Sequence, residues 1–185
     1  MIKKILVGLI VVVAVFAAYV ATLPSHFHVE RSAVVNAPPV VVFQQVNVLR
    51  NWEAWSPWAK MDPAMKQSYE GPAAGVGAVS IWAGNRKVGE GRSTIVESRP
   101  NEFIKFSLEF LKPMKASHTS GFTFKPEGKQ TAVSWSMEGD NSFLCKAVGV
   151  FMNMDKMVGG EFEKGLVSLN SVSEFAAMST KKKKK

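Results

Sequence analysis

The stretch RSAVVNAPPVVVFQQVNVLRNWEAWSPW (residues 31–58) contains the end of a predicted strand, a helix start and a cluster of tryptophans. Asn36 stands shortly before a pair of prolines, and an asparagine cap followed by proline in the first turn is typical of a helix start. Apolar residues then recur at helical spacing over 40–46. The stretch therefore predicts a strand over 27–36, a helix after the prolines, and a second short helix that ends at Pro57.

The residues after this stretch alternate between apolar and polar side chains in several short segments. The clearest segment is 104–110, where apolar residues at even positions alternate with lysine, serine and glutamate. A period of two marks a half-buried strand. The pattern continues over 114–125 and 133–137, and Gly84-Asn85 is a tight hairpin signal. Consecutive strands joined by short turns predict an antiparallel meander.

Between residues 144 and 172 the apolar residues recur every three or four positions instead. This period predicts one long amphipathic helix of about 30 residues, with a kink at Gly159-Gly160. Its methionines, Met152, Met154 and Met157, fit either core packing or an adaptable surface that faces a ligand. We expect the following face to pack on the sheet: Leu144, Val148, Phe151, Val158 and Phe162.

The N-terminus carries a run of 19 uncharged residues over 5–23, preceded by Lys3 and Lys4 and followed by Pro24. At about 1.5 Å per residue the run spans about 28 Å, close to the thickness of the hydrocarbon core of a bilayer. We therefore expect residues 1–24 to be a transmembrane anchor. The alternative is a cleaved signal peptide and a secreted protein, although the apolar part of signal peptides is usually about 7–15 residues long.

The positions of the basic residues predict the orientation of this anchor. Lys3 and Lys4 precede the apolar run, and Arg31 is the first basic residue after it. By the positive-inside rule the N-terminus is cytoplasmic. A domain over 25–178 would then lie outside the inner membrane, which in a bacterium is the periplasm.

The formal net charge of +8 is concentrated at the two ends of the chain. Lys3, Lys4 and the five lysines of 181–185 account for seven positive charges, so 24–180 has a net charge of +1. A nearly neutral domain lacks the electrostatic footprint of a nucleic-acid-binding protein. Composition favours a disordered lysine-rich tail over 179–185.

Cys145 is the single cysteine, which excludes an intrachain disulfide and a zinc site of paired cysteines. The chain also lacks the GxxxxGK[ST] phosphate loop, the HExxH zinc motif and the GxSxG nucleophile motif. We expect no metal and no cofactor.

The order of one strand, two short helices, six strands and a long helix resembles the helix-grip fold of the SRPBCC or START-like (Bet v 1-like) superfamily. Four strings are similar to its polyketide cyclase/dehydratase-like branch. They are residues 31–58, DPAMKQSYEGPAAGVGAVSIWAGN (62–85), VGEGRSTIVESRPNEFIKFSLEF (88–110) and MDKMVGGEFEKGLVSLN (154–170). The resemblance covers 27–175. It implies an α+β fold in which a curved antiparallel sheet of about seven strands wraps around the C-terminal helix.

The resemblance also implies an elongated, mostly apolar cavity between the sheet and that helix. Members of the superfamily bind lipids, sterols, polyketides or aromatic hydrophobes there, and some are cyclases or dehydratases. The expected partners are therefore a hydrophobic small molecule or lipid, together with the membrane. The residues expected to bind this ligand are Trp55, Trp58, Trp82, Glu90, Arg92, Phe106, Phe122, Trp135, Phe151, Met154 and Val158. Sequence alone leaves open whether the tryptophans are core or cavity wall.

The candidates for acid–base catalysis are Glu90, Arg92 and His118. Glu90 and Arg92 lie two positions apart, so their side chains leave the same face of a strand. They share the parity of Val88 and Val96, which suggests an inward face; the alternative is an exposed charge pair. His118 has no visible partner in the sequence, and a lone histidine is more often structural.

The sequence is compatible with three functions. The first is a membrane-anchored binder of a hydrophobic molecule, the second is a cyclase/dehydratase-like enzyme, and the third is a protein-interaction module of the cell envelope. A cavity with few polar groups favours the binder. Converging Glu, Arg and His side chains favour the enzyme, and a cavity filled by side chains favours the interaction module.

Overall fold

The computed structural model describes residues 1–151 and 153–183. The helices are α1 (Ile2–Thr22), α2 (Pro39–Asn47), α3 (Trp52–Trp55), α4 (Pro57–Met61), α5 (Phe143–Gly149) and α6 (Met154–Lys183), with a 3-10 turn at Leu49–Asn51. The strands are β1 (His26–Val35), β2 (Lys66–Glu70), β3 (Val79–Ala83), β4 (Glu90–Arg99), β5 (Phe103–Lys112), β6 (Ala116–Glu127) and β7 (Gln130–Asp140).

The seven strands form one antiparallel sheet in the order β1-β7-β6-β5-β4-β3-β2. Strands β2 to β7 are consecutive neighbours, as the alternating segments predict. The first strand pairs with the last, from His26 opposite Asp140 to Val35 opposite Thr131. The predicted α+β helix-grip fold is confirmed.

The concave face of the sheet packs on α6. Phe162, Leu166 and Leu169 recur on one side of this helix at helical spacing and are fully buried. Arg31 on β1 ties the start of the helix to the sheet, because its guanidinium bonds the carboxylates of Asp155 and Glu163, each at 2.8 Å. The short helices α2 to α4 cover the rest of the concave face, so the core is a single layer between sheet and helices.

The C-terminal helical region differs from the prediction of one helix kinked at Gly159-Gly160. Helix α5 ends at Gly149 and α6 begins at Met154, whereas α6 runs through both glycines without a break. The apolar residues of α5 and α6 share one helical period, which is why periodicity alone predicts a single helix. Met152 lies outside the described residues.

The predicted sheet-facing side of this region is correct only in its second half. Val158 and Phe162 pack into the core, but Leu144, Val148 and Phe151 are exposed. The physical reason is that α5 packs beside α1 instead of the sheet. The Phe151 ring lies 6.0 Å from the Phe16 ring.

The end of α6 also differs from the prediction. The helix extends to Lys183, so residues 179–183 are helical where composition favoured a disordered tail. Lys184 and Lys185 lie outside the described residues.

Helix α1 is the one helix in the described ranges that is long and apolar enough to cross a membrane. Only 6 % of its most apolar window is buried against the rest of the protein, so it is not a core helix. A membrane anchor and a signal sequence both have these properties.

Candidate ligand-binding cavity

A cavity of about 210 Å³ lies between the concave face of the sheet and the helices α3, α4 and α6. The strand side of its wall contains Ser80, Trp82, Ser93, Phe106, Leu108 and Phe110. The helical side contains Trp52, Ser56, Trp58, Val158 and Phe162. The wall is mainly aromatic and aliphatic, as is usual for sites that bind small hydrophobic molecules.

The alternation along β4 and β5 sets the shape of the strand wall. Phe106, Leu108 and Phe110 point inward from β5, as their spacing predicts. On β4, Gly91 faces the same side, and an added Cβ there would collide with the ring of Trp82. Because Gly91 has no side chain, the Trp82 indole can lie across it, with its centroid 5.8 Å from that of Phe110.

Trp135 on β7 belongs both to the core and to the cavity wall. Its ring stacks on Phe162 at a centroid distance of 4.1 Å and on Phe122 at 4.7 Å. Its Nε1–H donates to Ser120 Oγ at 3.2 Å, and it is 2 % exposed. The ring therefore forms the floor of the cavity while it is packed on its other sides.

The tryptophans of the short helices differ in role: some line the cavity, and one belongs to the core. Trp52 and Trp58 line the cavity. Trp55 is fully buried behind them, and its Nε1–H donates to the Gln45 carbonyl at 3.1 Å. Phe122 likewise lies in the core beside the cavity and is not part of its lining. Trp55 and Phe122 thus support the wall without forming it.

The lining is electrically neutral. Among the described residues that form it, none is charged. Its polar members are Ser56, Gln67, Ser80, Ser93 and Ser120. Ser93 Oγ is buried and makes no hydrogen bond within the described part of the chain.

Glu90 and Arg92 lie on the outer face of the sheet, which corrects the expectation of an inward pair. Glu90 accepts a bond from Lys112 Nζ at 2.8 Å, and Arg92 lies 3.7 Å from the Glu70 carboxylate. Val88 precedes β4, and Val96 sits at an irregularity of the β4–β5 register and is exposed. The parity of these valines was therefore a misleading guide to the buried face.

His118 points to the concave side but lies beyond the cavity, near the end of the sheet that adjoins α1. Its ring packs edge-on against Phe27 at 5.0 Å and lies 5.7 Å from Phe110. Burial lowers the pKa of His118, and its Nδ1 has no partner among the described residues. These contacts fit a neutral packing residue. Glu109 points to solvent, as its parity predicts.

Phe151 and Met154 lie away from the cavity. Phe151 is 79 % exposed beside α1, and Met154 is exposed at the start of α6. Met157 is also exposed, so neither Met154 nor Met157 forms a ligand-facing surface. Val158, one turn further along α6, is the first helix residue that reaches the lining.

Sequence reasoning missed the polar residues of the wall. Gln67, Ser80 and Ser93 carry no motif, and they become neighbours only through strand pairing, where Ser80 lies opposite Ser93. Leu108 and Phe110 could have been found, because they share the parity of Phe106.

Solved structures with this architecture come from distant proteins. CV1439 from Chromobacterium violaceum matches with a TM-score of 0.58 at 16% identity, covering 82% of this chain and 99% of that protein. Protein jhp0584 from Helicobacter pylori gives a TM-score of 0.59 at 10% identity, covering 80% of this chain and 88% of that protein. Ara h 8.0201 gives a TM-score of 0.54 at 12% identity, covering 80% of this chain and 97% of that protein. At these identities the similarity shows the fold alone.

No curated protein matches the chain. A family model does match, over residues 26–174, and its description is polyketide cyclase / dehydrase and lipid transport. The match spans all seven strands, the cavity and most of α6. By this match, the chain belongs to the polyketide cyclase / dehydrase and lipid transport family.

Proposed function

We propose that this protein is a membrane-anchored binder that holds a hydrophobic small molecule or lipid in the cavity between the sheet and α6. The observation that carries the proposal is the open, mainly apolar cavity without a charged side chain among its described lining residues. Apolar and aromatic walls supply most of the binding free energy of such ligands, because they remove apolar surface from water.

The same lining favours binding over acid–base catalysis. A general acid or base must lie within hydrogen-bonding reach of the reacting group. Glu90 and Arg92 are on the opposite face of the sheet, and His118 lies beyond the cavity among aromatic rings. The open volume of about 210 Å³ also argues against an interaction module whose cavity is filled by side chains.

The position of α1 supports delivery of the ligand from a bilayer. The helix ends at Thr22 and β1 begins at His26, so the α1 end of the sheet lies next to the anchor. Lys146 on α5 holds the domain against the end of α1, since its Nζ donates to the carbonyl of Leu23, the C-cap residue of α1, at 2.9 Å. Trp82 and Phe110 line the cavity at this same end. Exposed apolar residues surround this end of the sheet: Leu111, Met114, Phe143, Leu144 and Val148.

Filling the cavity should abolish most of the binding. We expect Leu108→Trp to weaken binding of a fluorescent fatty-acyl probe at least about tenfold, or about 1.4 kcal/mol, because the larger ring occupies the ligand's space. The measurement is a fluorescence titration of residues 25–180, with folding verified by circular dichroism.

The matched control for this experiment is Val167→Trp, a change of similar size on the exposed side of α6. It should leave the affinity within about twofold. Equal affinity of a folded Leu108→Trp variant and the unchanged protein would contradict binding in this cavity.

The proposed location of the domain can be tested separately. Lys3 and Lys4 before α1 favour a cytoplasmic N-terminus and a domain outside the inner membrane. A reporter that is active only in the periplasm, fused after Ser179, should therefore give a signal, and the fusion should stay in the membrane fraction. Activity of a cytoplasmic reporter at the same site would reverse the orientation, and a soluble periplasmic fusion would indicate cleavage.

A further inference from the structure

The wall formed by β2, β3 and β4 differs from the rest of the cavity. It carries Gln67, Ser80 and Ser93, which we name the polar strip. Ser80 and Ser93 are direct cross-strand partners, and Gln67 lies diagonally from Ser80, since it pairs with Trp82. The strip is neutral, and aromatic and aliphatic side chains surround it.

Ser93 is the member of the polar strip whose hydroxyl is buried without a hydrogen-bond partner among the described residues. It is 9 % exposed, and its Oγ has no partner within residues 1–151 and 153–183. Ser120, the serine on the opposite part of the wall, is fully engaged by comparison. It accepts from Trp135 Nε1–H and donates to the Ser136 carbonyl at 2.8 Å. A buried hydroxyl without a partner is costly, so a ligand atom that completes its bond would be favoured.

The charge of the lining restricts the ligand further. A carboxylate or ammonium group placed in this cavity would lose its hydration without meeting an opposite charge among the described lining residues. The charged side chains of β4 that precede Ser93 lie on the outer face, where Glu90 pairs with Lys112 and Arg92 lies 3.7 Å from the Glu70 carboxylate. A neutral hydroxyl or carbonyl oxygen satisfies Ser93 without this penalty.

We propose that the ligand is an uncharged amphiphile, such as a long-chain alcohol or a neutral acylglycerol, whose oxygen hydrogen-bonds to Ser93 on the polar strip. The apolar chain lies against Phe106, Leu108 and Trp135. This inference rests on the proposed function, because it requires a hydrophobic ligand in this cavity.

The test uses the full chain reconstituted in phosphatidylcholine vesicles. Three photoactivatable C18 probes of equal length are compared: an alcohol, a carboxylic acid and an alkane, each with a diazirine at mid-chain. The experiment is run at a pH of about 9, where the acid probe is ionised. Peptide mapping by mass spectrometry separates labels on the cavity wall from labels on α1, which touches the same bilayer.

We expect the alcohol probe to label cavity peptides about tenfold more than the alkane, the equivalent of about 1.4 kcal/mol for one hydrogen bond. The ionised acid should label them no more than the alkane does. Ser93→Ala should reduce labelling by the alcohol about three- to tenfold and leave labelling by the alkane unchanged.

The control variant is Ser107→Ala, which removes a hydroxyl from the outer face of β5. This variant should change the labelling of cavity peptides by neither the alcohol nor the alkane. Cavity labelling in which the acid equals or exceeds the alcohol, or in which Ser93→Ala has no effect, overturns the neutral-ligand inference while the binder proposal stands. If no probe labels the cavity wall above the level of a Leu108→Trp variant, the proposed function itself fails.

Discussion

Replacing Leu169 by aspartate is expected to unfold the domain, with a loss of more than about 4 kcal/mol in the free energy of unfolding. Leu169 is 0 % exposed on the side of α6 that faces the sheet, in the same core cluster as Phe162 and Leu166. An aspartate there would bury an unpaired charge in an apolar core. A loss of this size approaches the whole stability of a typical domain.

Chemical denaturation of the detergent-solubilised chain, followed by far-ultraviolet circular dichroism, measures this effect. The matched control is Val167→Asp, the same kind of change on the same helix at a residue that is 69 % exposed. We expect it to alter the stability of the domain by less than about 1 kcal/mol, because the charge stays in water. If the two variants lost equal stability, the face of α6 that packs on the sheet would be wrongly assigned.

Trp135→Ala should cost about 3–5 kcal/mol, the usual range for removing a buried tryptophan from a core. Stacking on Phe162 and Phe122 and the bond to Ser120 Oγ are lost together. The neighbours are themselves rings held by other contacts, so they cannot close the space that the indole leaves. The measurement is again denaturation, with fluorescence of the remaining tryptophans as a second probe.

Trp82→Ala provides the comparison for this prediction. Trp82 also lines the cavity, but it is only half-buried at the end of the sheet near α1, so its removal should cost clearly less than removal of Trp135. A small loss for Trp135→Ala, below about 1 kcal/mol, would show that the ring is a replaceable wall element and not part of the core.

Much of the fold follows from local patterns in the chain. The alternation over 104–110 and the helical spacing around Phe162 each report which side of an element is apolar, and the structure buries those sides. Helix α2 begins in the proline pair as predicted, but its N-cap is Pro38 and not Asn36. Such signals are local because they depend on the period of a single strand or helix.

The candidate site was only partly predictable for a related reason. Phe106, Trp58 and Val158 were expected in the lining and are found there. Glu90 and Arg92 were misjudged because the β4–β5 register is irregular, and such irregularities change the parity of a strand. The periodicity that placed Phe151 on the sheet was real, but it does not identify the surface that an apolar side chain contacts.

By itself, therefore, the sequence determined the order of the strands, the long C-terminal helix that packs on them, the apolar N-terminal helix and the aromatic character of the core. Tertiary structure alone decided that α5 packs beside α1, that Trp135 is both core and cavity floor, and that Ser80 and Ser93 meet on the cavity wall. The physical reason is that periodicity records whether a side chain is apolar, whereas its partner depends on strand register and on contacts between residues far apart in the chain.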